Sequence, residues 1–140
     1  MPGDNERRND IPQNQQTGAT ASIWGRKTAR AIASLIGASA PTGASNKCEL
    51  DGEPVALHCA RRRTKSVGVT YIMLARVKRV LGAFEEDDGR FRVMALSPED
   101  CRRNMRPTRS TGPSAGRVGI VSKTASERDG RLVKLVRLPG

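Results

Sequence analysis

Apolar residues between Ser22 and Ala38 recur close to the helical period, with Ile23, Ala29, Ile32, Ala33 and Ile36 on one side and Arg26, Lys27 and Arg30 on the other. Ser22 is a suitable cap and Gly37 a suitable stop, so a helix is predicted there, followed by a loop through Pro41 and Gly43. The pattern then changes period. Val55, Leu57 and Cys59 alternate with Ala56 and His58, and Asp51-Gly52, the favoured pair of a type I′ turn, separates that run from Cys48-Glu49-Leu50. A hairpin is predicted over Lys47 to Arg61.

Beyond the basic run Arg61 to Ser66, the residues Val69, Ile72, Met73, Val77, Val80, Leu81 and Phe84 make a wide apolar stripe, and one long amphipathic helix is predicted from about Val67 to Phe84. Asp87-Asp88-Gly89 is a turn, and Phe91 to Leu96 alternates as a strand does. Ser97-Pro98-Glu99-Asp100 opens a brief helix, to about Asn104, with a cap, a proline at the first position and acids in the first turn. Val118 to Ser122 and Leu132 to Leu138 read as a second hairpin around Arg128-Asp129-Gly130, although Arg131, Lys134 and Arg137 also fall at helical spacing.

These elements predict an α/β or α+β domain: a small sheet with a β-hairpin, one long amphipathic helix packed on it and a shorter N-terminal helix. Residues 1–21 are polar and read as disordered, 22–104 as the folded core, and 105–140 as a basic tail containing Gly and Pro. With aromatic residues limited to Trp24, Tyr71, Phe84 and Phe91, the core must rest on Val, Leu, Ile and Ala.

Charge changes the functional picture more than composition does. A formal net charge of +11 over 140 residues attracts polyanions. From Arg102 onward the cations face only Glu127 and Asp129, and Glu85 to Asp88 is the one acidic run. No apolar stretch reaches the roughly 20 residues of a membrane span, so no membrane partner is expected. Three cysteines without a secretory signal point to free thiols and a cytoplasmic protein.

The candidate phosphate-binding residues are Arg61, Arg62, Arg63 and Lys65, which would converge on the N-terminus of the Val67 helix, with Arg76 and Arg79 further along it. Arg102, Arg103, Arg106 and Arg109 are candidate tail contacts. Trp24 and Tyr71 are the only candidates for base stacking, so backbone contact is expected to dominate. Neither the glycines of Gly112 to Gly116 nor Gly68 forms a phosphate-cradling loop. Cys48, His58, Cys59 and Cys101 contain no CxxC, and neighbouring strand residues His58 and Cys59 point to opposite faces; no metal site is expected from them.

The order of elements over Asn46 to Leu96 resembles the core of the restriction-endonuclease-like, or PD-(D/E)XK, superfamily. In its members a hairpin carries an acid on one strand and an acid-x-lysine triplet on the next, and the two carboxylates hold a magnesium ion that activates water. The resemblance sets the first acid near Asn46 or Lys47 and the triplet near Ala56-Leu57-His58, where this chain has no carboxylate. Glu49, Asp51, Glu53 and His58 are the nearest candidates for a displaced catalytic set.

The expectation is a non-enzymatic, nucleic-acid-associated protein that binds DNA or RNA through backbone phosphates without a cofactor. A metal-dependent nuclease-like protein with a degenerate site is one alternative, and an adaptor docking on an acidic protein surface is another.

Overall fold

Described as a computed structural model over residues 10–41, 46–107 and 117–139, the chain forms α1 (Asp10–Ile36), β1 (Lys47–Leu50), β2 (Glu53–Ala60), β3 (Ser66–Thr70), α2 (Tyr71–Leu74), β4 (Arg79–Glu85), β5 (Arg90–Leu96), α3 (Pro98–Asn104), β6 (Arg106–Pro107), β7 (Val118–Ser122), α4 (Lys123–Asp129) and β8 (Arg131–Arg137). The class is α+β. A five-stranded sheet has the order β1-β2-β4-β5-β8, and a three-stranded sheet the order β3-β7-β6. All neighbours are antiparallel except β2 and β4, which run parallel from Val55 opposite Arg79 to Ala60 opposite Phe84.

Alternation along the central strands sends side chains to two cores. Val55, Leu57, Leu81, Ala83, Phe91, Val93 and Ala95 pack with Ala29, Ile32 and Ala33 of α1. Ala56, Ala60, Val80, Phe84, Met94 and Leu96 pack instead with Val67, Val69 and Val121 of the small sheet, Leu74, Cys101 and Ala125. The result is three layers: α1, the large sheet, and the small sheet with its short helices.

Several turns match their sequence signals. Asp51 and Gly52 take positive φ of 57° and 79° in the β1–β2 hairpin. Gly37, at φ 82°, ends α1, and the amide of Ala38 donates to the carbonyl of Ala33 at 2.8 Å, the bond that closes a Schellman motif. Ser97 accepts from the amide of Asp100 at 3.0 Å and starts α3 where its cap was expected.

The long helix predicted over Val67 to Phe84 is not formed. That segment is strand β3, the single turn α2 and strand β4. Val80 and Leu81 face opposite cores, so β4 is apolar on both faces and mimics part of a helical stripe. Ile72, expected to face the sheet, is 64% exposed.

Two boundaries also shift. Helix α1 begins at Asp10, inside the segment expected to be disordered; its Gln and Ala residues suit a helix that continues from a packed end. The core expected over 22–104 extends to Arg137, because β7 pairs with β3 and β8 forms an edge of the large sheet beside β5. Strands do occupy the two predicted tail segments, but α4 separates them into different sheets, so they form no hairpin with each other. Among the described residues no helix is long and apolar enough to cross a membrane.

Gly82 distinguishes the two readings of this segment by sign. A Cβ there would meet the Phe84 ring at 2.8 Å. Gly82→Ala should therefore destabilise the protein by about 1–3 kcal/mol in urea unfolding, whereas in the predicted helix it would stabilise by about 1 kcal/mol.

Candidate nucleic-acid interface

The outer layer gathers arginines through its short connections. Helix α3 ends at Asn104, and the chain then extends through Met105 into β6, which pairs with β7 at Arg106 opposite Ile120 and Pro107 opposite Gly119. Met105 lies directly over Gly119, where any Cβ would run into the Met105 side chain, its own Cβ at 2.8 Å, so the glycine permits this close crossing. Strand β7 leads into Ser122, whose hydroxyl oxygen accepts from the amide of Ala125 at 3.0 Å and caps α4.

The two helices are tied together by side chains. Asn104 Nδ2 donates to Asp129 Oδ2 at 2.9 Å, and Arg128 Nη2 donates to Asn104 Oδ1 at 2.7 Å. Arg128, then Asn104, holds the Asp129 carboxyl below its ordinary pKa. Arg103 pairs with Asp100 one turn earlier on α3. Between these elements lies a cavity of about 460 Å³ lined by Arg103, Arg106 and Arg128 with Asn104, Met105, Ser122, Thr124 and Ala125. Among the described residues no acid lines it, and Arg106 has no acidic partner.

The seat expected at Arg61, Arg62, Arg63 and Lys65 is a different object. No helix begins at Val67, since β3 starts at Ser66, so neither a dipole nor free helical amides point at these cations. The parallel register explains their surroundings: Ala60 is opposite Phe84, which sets the residues after β2 beside those at the end of β4. The amide of Arg62 donates to Glu85 Oε1 at 3.1 Å, and its Nη1 reaches the carbonyl of Asp87 at 3.5 Å. Lys123 bonds to Glu86 at 2.5 Å, with Arg92 on the same carboxylate at 3.4 Å. The Lys123 hydrogen bond leads in holding the Glu86 pKa below the usual range. Arg62, Lys65 and Lys123 thus share a cleft of about 290 Å³ with Glu85, Glu86, Asp87 and Asp88, whose four carboxylates outnumber the three cations.

The other phosphate candidates are dispersed. Arg61 stacks over the Trp24 ring at 4.5 Å, and Trp24 packs toward Phe91 at a centroid distance of 6.3 Å, so this indole has partners already. Tyr71 packs on the outer core. Arg63 and Arg76 are exposed, and Arg79 pairs with Glu53 at 3.2 Å. Of the tail candidates, Arg103 and Arg106 enter the α3–β6–α4 cavity and Arg102 borders a shallower one beside Pro98, while Arg109 lies outside the described residues.

Arg128 was not singled out from the sequence. The segment it occupies read as a turn between strands, although Ser122 before Lys123-Thr124-Ala125 was a legible cap and Arg128 a favourable last-turn cation.

The displaced acids do not assemble. Glu49 is opposite Pro54, and Leu50 is opposite Glu53, so the carboxylates of Glu49 and Glu53 project from opposite faces of the sheet. Asp51 occupies the tight turn between them. His58 lies opposite Gly82 in the sheet interior; part of the residue reaches the surface, but Nε2 is enclosed without a hydrogen-bond partner. Burial pushes the His58 pKa down to about 4. Cys48 and Cys101 are buried and Cys59 is half-buried, all as free thiols; burial pushes Cys59 up to about 12.

No protein-family model matches this chain, and no curated protein sequence matches it.

The His58 pKa has a defined consequence for stability. The ring is neutral in both folded and unfolded chains above the unfolded value of 6.5, and the unfolded chain protonates first as pH falls toward the folded value of about 4. Stability present above pH 6.5 should therefore be lost across that window, by on the order of 3 kcal/mol for this residue. Urea midpoints between pH 7 and 5 should fall for the native chain and much less for His58→Leu. Equal slopes would contradict an enclosed neutral imidazole.

Proposed function

We propose that this protein associates with nucleic acid without acting as an enzyme, holding strand phosphates in the cleft between α3, β6 and α4. The observation that carries this is the approach of Arg103, Arg106 and Arg128, from three elements, to one cavity with no acidic lining residue among the described ones. Such guanidinium forks match the oxygens of phosphates and carboxylates, and the net charge of +11 favours a polyanion as their source. The pairing of Arg103 with Asp100 and of Arg128 with Asn104 and Asp129 fixes two of the forks before a ligand arrives. Less side-chain entropy is then lost on binding. No aromatic residue is among the lining groups, which favours backbone contact over base reading. A cytoplasmic setting goes with this reading, since the thiols of Cys48, Cys59 and Cys101 are unpaired.

Fluorescence anisotropy with short DNA and RNA duplexes tests the proposal. Affinity should fall with salt at a log-log slope of about −0.9 per phosphate contacted. Arg106→Ala with Arg128→Ala should weaken binding by about tenfold or more and make the slope shallower by about two, while Arg62→Ala should have little effect. A flat salt response would contradict it. Binding to heparin and to acidic proteins without binding to nucleic acid would favour an adaptor, and magnesium-dependent cleavage lost on Glu49→Ala would favour a nuclease.

A further inference from the structure

We propose that the α3–β6–α4 cleft is an end pocket, taking the terminal phosphomonoester of a nucleic-acid strand in preference to a phosphodiester within one. This deepens the preceding reading and rests on it. A continuous backbone presents its diesters along a convex ridge, each with one negative charge and two free oxygens, and the cations that track it lie along an open groove. The cleft is instead concave. Its volume of about 460 Å³ falls in the range of small-ligand sites, about 300–1,000 Å³.

The donors that line the cavity come from three elements and are open to solvent. Arg103 comes from α3, Arg106 from β6 and Arg128 from α4. Between them are the hydroxyls of Ser122 and Thr124. The Ser122 oxygen already accepts from Ala125, which leaves its proton to donate. Asn104 contributes structure rather than recognition, because its amide nitrogen already donates to the Asp100 carbonyl at 2.8 Å and to Asp129 at 2.9 Å. Several donors from separate elements lining one cavity suit a terminal phosphate, which carries about −1.5 to −2 charge and three free oxygens.

The carboxylates behind Arg103 and Arg128 subtract from the net attraction while they position these side chains. Arg106 has no acidic partner among the described residues, so it supplies the contact most sensitive to the ligand's second charge. Met105 and Ala125 are the apolar lining, and neither offers a base a stacking surface. The pocket therefore distinguishes the end of a strand by its charge and oxygens rather than by its base.

The test compares one single-stranded oligonucleotide with a hydroxyl end, a 5′-phosphate or a 3′-phosphate, by anisotropy at about 150 mM salt. A phosphorylated end should bind about tenfold tighter than the hydroxyl form, the effect of one added charge-assisted contact. Arg106→Ala should shrink that gap to within about twofold, and Arg106→Lys should restore only part of it. Circular dichroism confirms that the variants remain folded. Equal binding of all three strands would overturn the end pocket and leave the nucleic-acid reading standing; no binding of any strand would also overturn the end pocket, and with no binding of the duplexes either it would remove both. Competition by a 5′-mononucleotide or inorganic phosphate at the same concentration as the phosphorylated strand would assign the cleft to a small phosphate and overturn the strand-end proposal.

Discussion

The parallel pairing of β2 with β4 constrains everything outside the N-terminal helix. Two strands running the same way cannot be joined by a tight turn, so the chain between Ala60 and Arg79 has to return along one face of the sheet. It does so as β3 and α2, and this return path founds the second layer. Strand β7 then pairs with β3, and β6 pairs with β7. The short helices α3 and α4 close over the Phe84 and Leu96 side of the large sheet. Without that pairing there would be no outer layer on which α3, β6 and α4 could meet.

The same register decides which cations are available. Because β2 and β4 end together, the Arg62 amide is brought against the Glu85 carboxylate and its guanidinium against the Asp87 carbonyl, so Arg62 and Lys65 share a cleft with the chain's one acidic run while Arg61 turns to Trp24. Of the three arginines that line the outer cavity, only Arg106 is without an acidic partner among the described residues. Asp100 and Asp129 hold Arg103 and Arg128 from outside the lining of the cavity. Sequence separation gives no warning of either result, since both follow from which strand ends coincide.

What could be read from the chain was local. The Asp51-Gly52 turn, the Gly37 stop, the Ser97-Pro98 start and the Phe91 to Leu96 strand depend on neighbours within a few residues, and each formed as expected. The segment Val67 to Phe84 depended on tertiary burial. A strand covered on both faces loses its alternation, and Val80-Leu81 beside Val77 and Phe84 then satisfies a helical template as well as a strand. Gly68 and Gly82, with the β-branched Val67, Val69, Val77 and Val80, were the contrary signals. At the candidate site, Arg103 and Arg106 were legible as cations but their convergence with Arg128 was not, because it requires α4 and the Met105–Gly119 crossing.

The most direct test of the account is residue-resolved amide NMR of the full chain, titrated with a short oligonucleotide at low salt. Shift changes should concentrate at Arg102 to Arg106 and Ser122 to Arg128, with Arg61 to Lys65 and Glu85 to Asp88 nearly unchanged. Changes centred on Arg61 to Lys65, with the α3 and α4 amides unmoved, would contradict it.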